Sequence, residues 1–442
     1  MSAAPLPGSP WLQREGQELL LDGCSLQALA AEHGTPLFVY SQRAMQAAAR
    51  GYQQALADHP HLLCYAMKAN SSLAVLQTFA RLGCGFDIVS GGELLRVLAA
   101  GGDPARVVFS GVGKTAAEMA LALHHGVLCF NVESEGELER LSQVAVQAGR
   151  TAAVSLRVNP DVDAGTHPYI STGLKNNKFG IAHEHAVAAY RRAAALPGLR
   201  VVGIDCHIGS QITQVAPYLD ALDRLLDLVE TLESQGLSIH HVDIGGGLGI
   251  TYEDETPPSP AELIGPVLSR LRQRGHGHRT LLMEPGRSLV GNAGVLLTRA
   301  LYLKRGEAKR FCVVDAAMND LTRPALYDAY MRIEPCLARE GLAERWDVVG
   351  PVCESGDWLG RDRDLVLQPD DVLAILSAGA YGMAMSSNYN SRGRAAEVMV
   401  SEGRAWVIRQ REDPAQLFAL EQLVPATDPQ AGPGAAGGAA GG

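Results

Sequence analysis

The sequence predicts an α/β fold: a closed (β/α)8 barrel followed by a mostly β domain that the N-terminal segment joins. Three observations carry this expectation. Eight short apolar runs, at 62–67, 85–89, 107–110, 128–132, 153–158, 201–206, 239–244 and 280–283, alternate with stretches of helical periodicity. Barrel and intervening helices span about 250 residues, the usual size of such a barrel. Polar, charged or glycine-rich clusters stand at the C-terminal ends of most runs. A doubly wound open sheet would concentrate them at one crossover point instead.

In chain order, residues 18–23 read as a strand ending at the turn glycine Gly23. Ser25 then caps a helix over 26–32, which Gly34 stops. Residues 36–41 read as a second extended piece. This segment, 1–41, carries no chemistry and is assigned to the scaffold, packed with the β domain. The barrel is expected over 42–289, with helices at 72–82, 92–100, 116–124, 135–148, 183–195, 218–234 and 260–274. Between the fifth run and its helix lies a polar, turn-rich stretch, 159–181, long enough to suggest a mobile lid over the barrel mouth. A β-rich domain follows over 290–424, with runs at 294–303, 311–314, 346–352, 372–376 and 397–400. The last of these pairs with 406–409 across Ser401-Glu402-Gly403-Arg404. The Gly/Ala-rich tail, 425–442, is expected to be disordered and without function.

Composition excludes several classes. The chain has 442 residues and a net charge of −10 with no basic cluster, so nucleic-acid binding is not expected. Residues 1–10 lack a charged and then an apolar stretch, so they do not read as a secretory signal. No run of about 18 apolar residues predicts a membrane span. The eight cysteines are scattered without a Cys-x-x-Cys pair. That suits reduced thiols in a cytoplasmic protein and predicts no metal site.

The strand ends hold the candidate chemistry. They present Lys68; Asp87 with Ser90; Ser110; Asn131 with Glu133; Arg157 with Asn159; His207 with Ser210; Gly245-Gly246-Gly247; and Glu284 with Arg287. Singly, each has a bland reading: a surface lysine, a satisfied core histidine, one arm of a structural ion pair, a tight turn. Aligned on one rim they point to a site. A lysine there can form a Schiff base with a carbonyl, including that of pyridoxal phosphate. Consecutive glycines after a strand let backbone N–H groups approach a phosphate, and late βα loops of barrels often bind one. The Gly-x-Gly-x-x-Gly spacing of a dinucleotide site is absent. A carboxylate at Glu284 could keep a pyridine nitrogen protonated.

Four motifs now carry a resemblance: Tyr65-Ala66-Met67-Lys68-Ala69-Asn70, His207-Ile208-Gly209-Ser210, Gly245-Gly246-Gly247 and Glu284-Pro285-Gly286-Arg287. The set resembles the barrel-type (fold type III) pyridoxal phosphate decarboxylases. Three more stretches resemble the diaminopimelate decarboxylases in particular: the decapeptide from Met318 to Tyr327, the octapeptide from Gly350 to Asp357, and Gly379-Ala380-Tyr381-Gly382 with Ser387-Asn388-Tyr389-Asn390. The likeness runs from about residue 15 to about residue 422.

The resemblance implies roles. Lys68 would bond to the aldehyde of pyridoxal 5'-phosphate, with Asp87 and Arg157 close by. His207 would stack on its ring, and Glu284 would bind the ring nitrogen. Ser210, Gly245, Gly246, Gly247 and Tyr381 would hold its phosphate. Arg287, Arg323 and Tyr327 would bind the substrate carboxylate remote from the reacting carbon, and Tyr381 counts with the substrate set too. Tyr327 would lie one turn beyond Arg323 if that stretch is helical. Cys353 and Glu354 would reach in from a partner subunit, giving a homodimer, with Glu354 taking the substrate's distal ammonium and Cys353 or Lys68 delivering a proton. The implied reaction converts meso-2,6-diaminopimelate to L-lysine and carbon dioxide, the last step of lysine synthesis. The alternatives are a related ornithine or arginine decarboxylase, an amino-acid racemase on the same barrel, or a non-catalytic cofactor-binding homologue.

Overall fold

A computed structural model describes residues 5–163 and 178–424. Eight parallel strands form the barrel: His61–Ala66, Gly85–Ile88, Val107–Phe109, Cys129–Val132, Ala152–Asn159, Leu199–Asp205, His241–Asp243 and Thr280–Met283. Each pairs with the next, and Thr280–Met283 closes the ring on His61–Ala66, with Leu281 opposite His61 and Met283 opposite Leu63. The strands read as apolar runs because both faces are buried, one by interior side chains and the other by helices. A small interior cluster of Leu62, Cys64, Val108, Cys129, Val202 and Leu282 packs the barrel, while the main core lies between strands and helices. Asp205, Asp243 and Glu284, discussed below, stand above that packing.

The helices start where the sequence supplies caps. Ser41, Ser90, Thr115, Ser134 and Ser259 each accept a backbone N–H from the first turn of the helix that follows. Thr115 with Glu118, and Ser259 with Glu262, form reciprocal capping boxes. Helix Gln42–Leu56 packs beside Pro260–Gln273 and so completes the outer ring.

Beyond the barrel, the twelve-residue strand Gly294–Arg305 is the axis of a second, mostly antiparallel sheet. The N-terminal strand Leu37–Ser41 lies between it and Ala396–Ser401, pairing with both. The N-terminal segment therefore joins the β domain. A small antiparallel sheet, Leu12–Glu15, Glu18–Leu21 and Cys24–Ser25, covers its apolar face through Leu12, Leu19 and Leu21. The hairpin Ala396–Ser401 to Arg404–Arg409 turns at Glu402 and Gly403, both with positive φ.

Among the strands of three or more residues, three were not legible. Leu12–Glu15 is short and half exposed. Ile333–Pro335 ends at a proline. Trp358–Leu365 carries Arg361, Asp362, Arg363 and Asp364 at its exposed end, which hides its pairing with Glu344–Val349. The run expected over 346–352 ends instead at Val349, just before Gly350-Pro351. The tail over 425–442, and residues 164–177 of the expected lid, lie outside the described residues.

Candidate active site

The first barrel strand ends at Ala66, whose N–H donates to Pro285 O at 3.1 Å. The chain then makes a 3-10 turn, Met67–Ala69, that lifts Lys68 onto the rim. Lys68 Nζ lies 2.5 Å from Asp87 Oδ2 on the second strand. Asp87 is buried, whereas the Lys68 side chain is 39% exposed at the barrel mouth. Burial pulls the amine's pKa down, but Asp87, Glu284 and Tyr381 outweigh it and hold the ammonium above lysine's ordinary range. The β domain grips the same turn. Tyr381 N–H donates to Ala69 O at 2.7 Å, and Asn70 Nδ2 donates to Gly379 O at 3.1 Å. This stitching is why the Lys68 and Tyr381 motifs, far apart in sequence, meet. Tyr381 sits at φ 57°, a left-handed conformation that a non-glycine residue seldom adopts.

Across the mouth, the glycine turn is packed so closely that no side chain fits. A Cβ on Gly246 would lie 2.1 Å from Glu284 O, and one on Gly247, at φ +101°, 2.4 Å from Gly209 O. Gly246 N–H donates to His207 Nδ1 at 3.2 Å, which leaves the ring proton on Nε2. Burial first, then the charges of Arg157 and Lys68, push His207 well below the usual imidazole range, so it is neutral at pH 7. A neutral ring suits stacking on a cationic heterocycle. Ser210 Oγ accepts from Arg287 Nη2 at 3.1 Å.

Glu284 is tied to the glycine turn through its N–H, which donates to Gly245 O at 2.8 Å. Asn131 Nδ2 donates to Glu284 Oε1 at 3.3 Å and to Ser110 Oγ at 3.2 Å. Burial, then the neighbouring Asp243, Asp87 and Asp205, raise the Glu284 pKa well above the carboxylate range. Arg157 pairs with Glu133 at 3.3 Å, and Glu133 also accepts the N–H groups of Gly111 and Gly180. The donor set therefore fits pyridoxal phosphate: an amine, an acid for the ring nitrogen whose charge is felt at that amine, a neutral imidazole and a glycine cradle.

A second pole lies toward the β domain. Arg287 and Arg323 are both buried, and in each the Nε has no hydrogen-bond partner among the described residues. Helix Arg323–Tyr327 places the Arg323 guanidinium 5.5 Å from the Tyr327 ring. Arg287 lies 4.9 Å from the Tyr381 ring. Tyr252 links the two arginines. Its hydroxyl accepts from Arg287 Nη1 at 2.5 Å, and its ring is 5.3 Å from the Arg323 guanidinium. A cavity of about 170 Å³ opens there, lined by Gln211, Tyr252, Glu255, Arg323, Tyr327 and Tyr330. Sequence reasoning missed Tyr252; an aromatic one loop beyond the glycine turn was its only signal. It also missed Asp205 and Asp243, which lie within the apolar runs 201–206 and 239–244.

Cys353 and Glu354 are exposed, in the loop before Trp358–Leu365. Glu354 Oε1 accepts from Tyr389 Oη at 2.8 Å, within their own motif neighbourhood.

Residues 42–291 match the family described as pyridoxal-dependent decarboxylase, pyridoxal binding domain. Fold and site thus define a barrel-type, pyridoxal-phosphate-dependent carboxy-lyase. The chain is 59% identical to the diaminopimelate decarboxylase of Pseudomonas aeruginosa, over 92% of this chain and 98% of that one. Among solved structures, the Helicobacter pylori diaminopimelate decarboxylase complexed with L-lysine is 41% identical with a TM-score of 0.86, covering 89% of this chain and 98% of that one. The M. jannaschii enzyme in co-complex with L-lysine is 37% identical with a TM-score of 0.90, covering 95% and 99%. The chain belongs to the diaminopimelate decarboxylase family.

Proposed function

We propose that this protein removes one carboxylate of meso-2,6-diaminopimelate to leave L-lysine and carbon dioxide, using pyridoxal phosphate bound through Lys68. The observation that carries the substrate choice is the buried pair Arg287 and Arg323, each with an unpartnered Nε. Diaminopimelate differs from lysine by a carboxylate beside its distal amine. Planar guanidinium forks match that group, and a substrate without it leaves the two buried Nε donors unpaired.

The bound cofactor supplies an electron sink for the bond that breaks. The chain's own residues do the rest. Asp87 holds the Lys68 proton at Nζ until the amine is needed. With the cofactor bound, His207 would cover one ring face, Glu284 would meet the ring nitrogen, and Ser210, Gly245, Gly246, Gly247 and Tyr381 would hold the phosphate. Arg157, set by Glu133, flanks the reacting end. Arg287, Arg323 and Tyr327 grip the remote carboxylate, which orients the substrate so that only one carboxylate faces the cofactor. A proton then reaches the α-carbon from Lys68 Nζ or Cys353 Sγ.

Exposure of Cys353 and Glu354 supports their serving a partner chain's site in a homodimer. Mixing inactive Lys68→Ala with inactive Glu354→Ala chains then restores up to about a quarter of the activity, because a two-fold dimer of unlike chains keeps one intact site. No recovery after verified exchange points to sites built within one chain. The boundary of the barrel domain at 42–289 is supported by the family match and by the start of the long β-domain strand at Gly294. Cytoplasmic residence is supported by thiols that are free at all eight cysteines. No helix among the described residues is long and apolar enough to cross a membrane.

The activity test is carbon dioxide release from a panel of amino acids. Diaminopimelate is expected to exceed lysine, ornithine and arginine by roughly 10³- to 10⁴-fold, the discrimination reached when a buried polar site is left unpaired. Ornithine turnover within about tenfold of diaminopimelate would sink the reading.

A further inference from the structure

Behind Glu284 lie two more carboxyls that the proposed chemistry does not use. Asp205 and Asp243 face each other in register on adjacent strands. One oxygen from each of Asp205, Asp243 and Glu284 falls within a 4.8 Å cluster, and all three side chains are buried. Asp243 Oδ1 accepts from Gly245 N–H at 2.8 Å, so one end of this acid anchors the glycine turn. As bare acceptors, its Oδ2 and the Oδ1 of Asp205 have no partner among the described residues.

The nearby cations are already engaged. Asp87 takes Lys68, and Glu133 takes Arg157. The remaining neighbours bring no compensating charge: His207 is neutral, and the Cys64, Cys129 and Cys206 thiols are buried. Three clustered carboxyls without a cation of their own cannot all ionise in a buried site. The cofactor's ring nitrogen adds a single positive charge, which one carboxylate answers. Two of the three must then carry protons, and a proton on Asp243 turns its orphaned oxygen into a donor aimed at the cluster.

We propose that Asp205 and Asp243 stay protonated in the working enzyme and act as positioning residues, donating hydrogen bonds that make Glu284 the single carboxylate facing the ring nitrogen. This rests on the reading that Glu284 is the nitrogen's partner. Burial pushes Asp243 up to about 7, opposed by bonding from the Gly245 N–H and from the Glu284 side chain, and burial with Asp243 beside it raises Asp205 well above the carboxylate range, against the pull of Arg157. An Asn at 243 can accept from Gly245 and donate toward Glu284 as a protonated Asp does; a Leu of similar size can do neither.

The test uses cofactor-loaded enzyme. Infrared difference spectra at pH 7 should show protonated-carboxyl C=O bands, shifted in heavy water, that Asp243→Asn and Asp205→Asn each remove. Asp243→Asn should keep cofactor affinity within about threefold and leave the ¹⁵N shift of ¹⁵N-labelled cofactor unchanged. Asp243→Leu should weaken affinity at least tenfold and move that shift. If Asp243→Leu does not fold, the infrared and Asn results decide. Absence of the bands, wild-type behaviour of a folded Asp243→Leu, or an Asp243→Asn as damaged as Glu284→Gln would overturn the proposal. A Glu284→Gln enzyme with the wild-type ¹⁵N shift would instead overturn the assignment of Glu284 itself.

Discussion

The two poles of the barrel mouth handle buried charge in opposite ways. At the cofactor pole, Asp87, Asp205, Asp243 and Glu284 crowd together, and acids can relieve such crowding by taking up protons. At the substrate pole, Arg287 and Arg323 have no such escape, since a guanidinium stays charged in proteins. Arg323 accordingly suffers from burial and from Arg287 beside it. Arg287 donates to the Ser210 and Tyr252 hydroxyls, and around both arginines Tyr252, Tyr327 and Tyr381 offer ring faces within 5.5 Å of one guanidinium or the other. The lesson is that one pole adjusts to its ligand's charge while the other waits for a fixed anion. A cofactor whose ring gains a proton suits the first. A carboxylate that is always ionised at pH 7 suits the second.

The cofactor pole breaks most completely at Lys68. Lys68→Ala removes the amine proposed to bond to the cofactor and to move a proton, so kcat should fall by at least about 10³-fold, the scale of losing a nucleophile that also serves as acid or base. The fold should survive, since the side chain sits at the mouth and its neighbours Met67 and Ala69 carry the packing. Borohydride should no longer fix the cofactor to the protein. Covalent fixation at the wild-type yield would remove Lys68 from its role.

The substrate pole breaks next at Arg323. Arg323→Ala should raise the KM for diaminopimelate about 100-fold, the effect of removing one partner of a buried charged pair, which costs roughly 2–5 kcal/mol. Cofactor affinity should change far less. That split between KM and cofactor Kd separates the poles, and unchanged diaminopimelate kinetics would mean that the carboxylate binds elsewhere.

The two poles were unequally legible in the sequence. Strand-end rhythm alone brought Lys68, Asp87, His207, Gly245 to Gly247 and Glu284 to one rim, because a barrel places every strand end on one face. Arg323, Tyr327 and Tyr381 lie outside the barrel, and only motif resemblance singled them out. Their approach depends on long-range bonds such as Tyr381 N–H to Ala69 O, which no local pattern encodes. Asp205 and Asp243 were invisible for a different reason. A single acid one residue before the end of an apolar run carries no signal of its own, and only the register shows both acids buried side by side. Trp358–Leu365 was lost too, its alternation masked by charges on the exposed side.

The smallest of these effects, and the sharpest measure of the comparison, is expected at Tyr252. It is not among the residues proposed to meet the reacting carbon, and its hydroxyl and ring bridge the two arginines. Tyr252→Phe keeps the ring, and with it the aromatic face beside Arg323, but removes the acceptor at 2.5 Å from Arg287 Nη1. A hydrogen bond to a charged group contributes about 1.5–3 kcal/mol. Part of that should be recovered, because the freed Nη1 can turn to the substrate carboxylate. KM for diaminopimelate should therefore rise about tenfold, less than for Arg323→Ala, while kcat and cofactor affinity move by no more than about twofold. Tyr252→Ala, which also strips the ring face, should raise KM a further two- to fivefold or so, the scale of a partly solvated cation–π contact of about 0.5–1 kcal/mol. A graded order, Phe milder than Ala and both milder than Arg323→Ala, is what an arginine pole held by aromatic residues requires. If Tyr252→Phe instead lowered kcat and left KM alone, Tyr252 would belong with the reacting atoms, and the division of the mouth into two poles would be wrong.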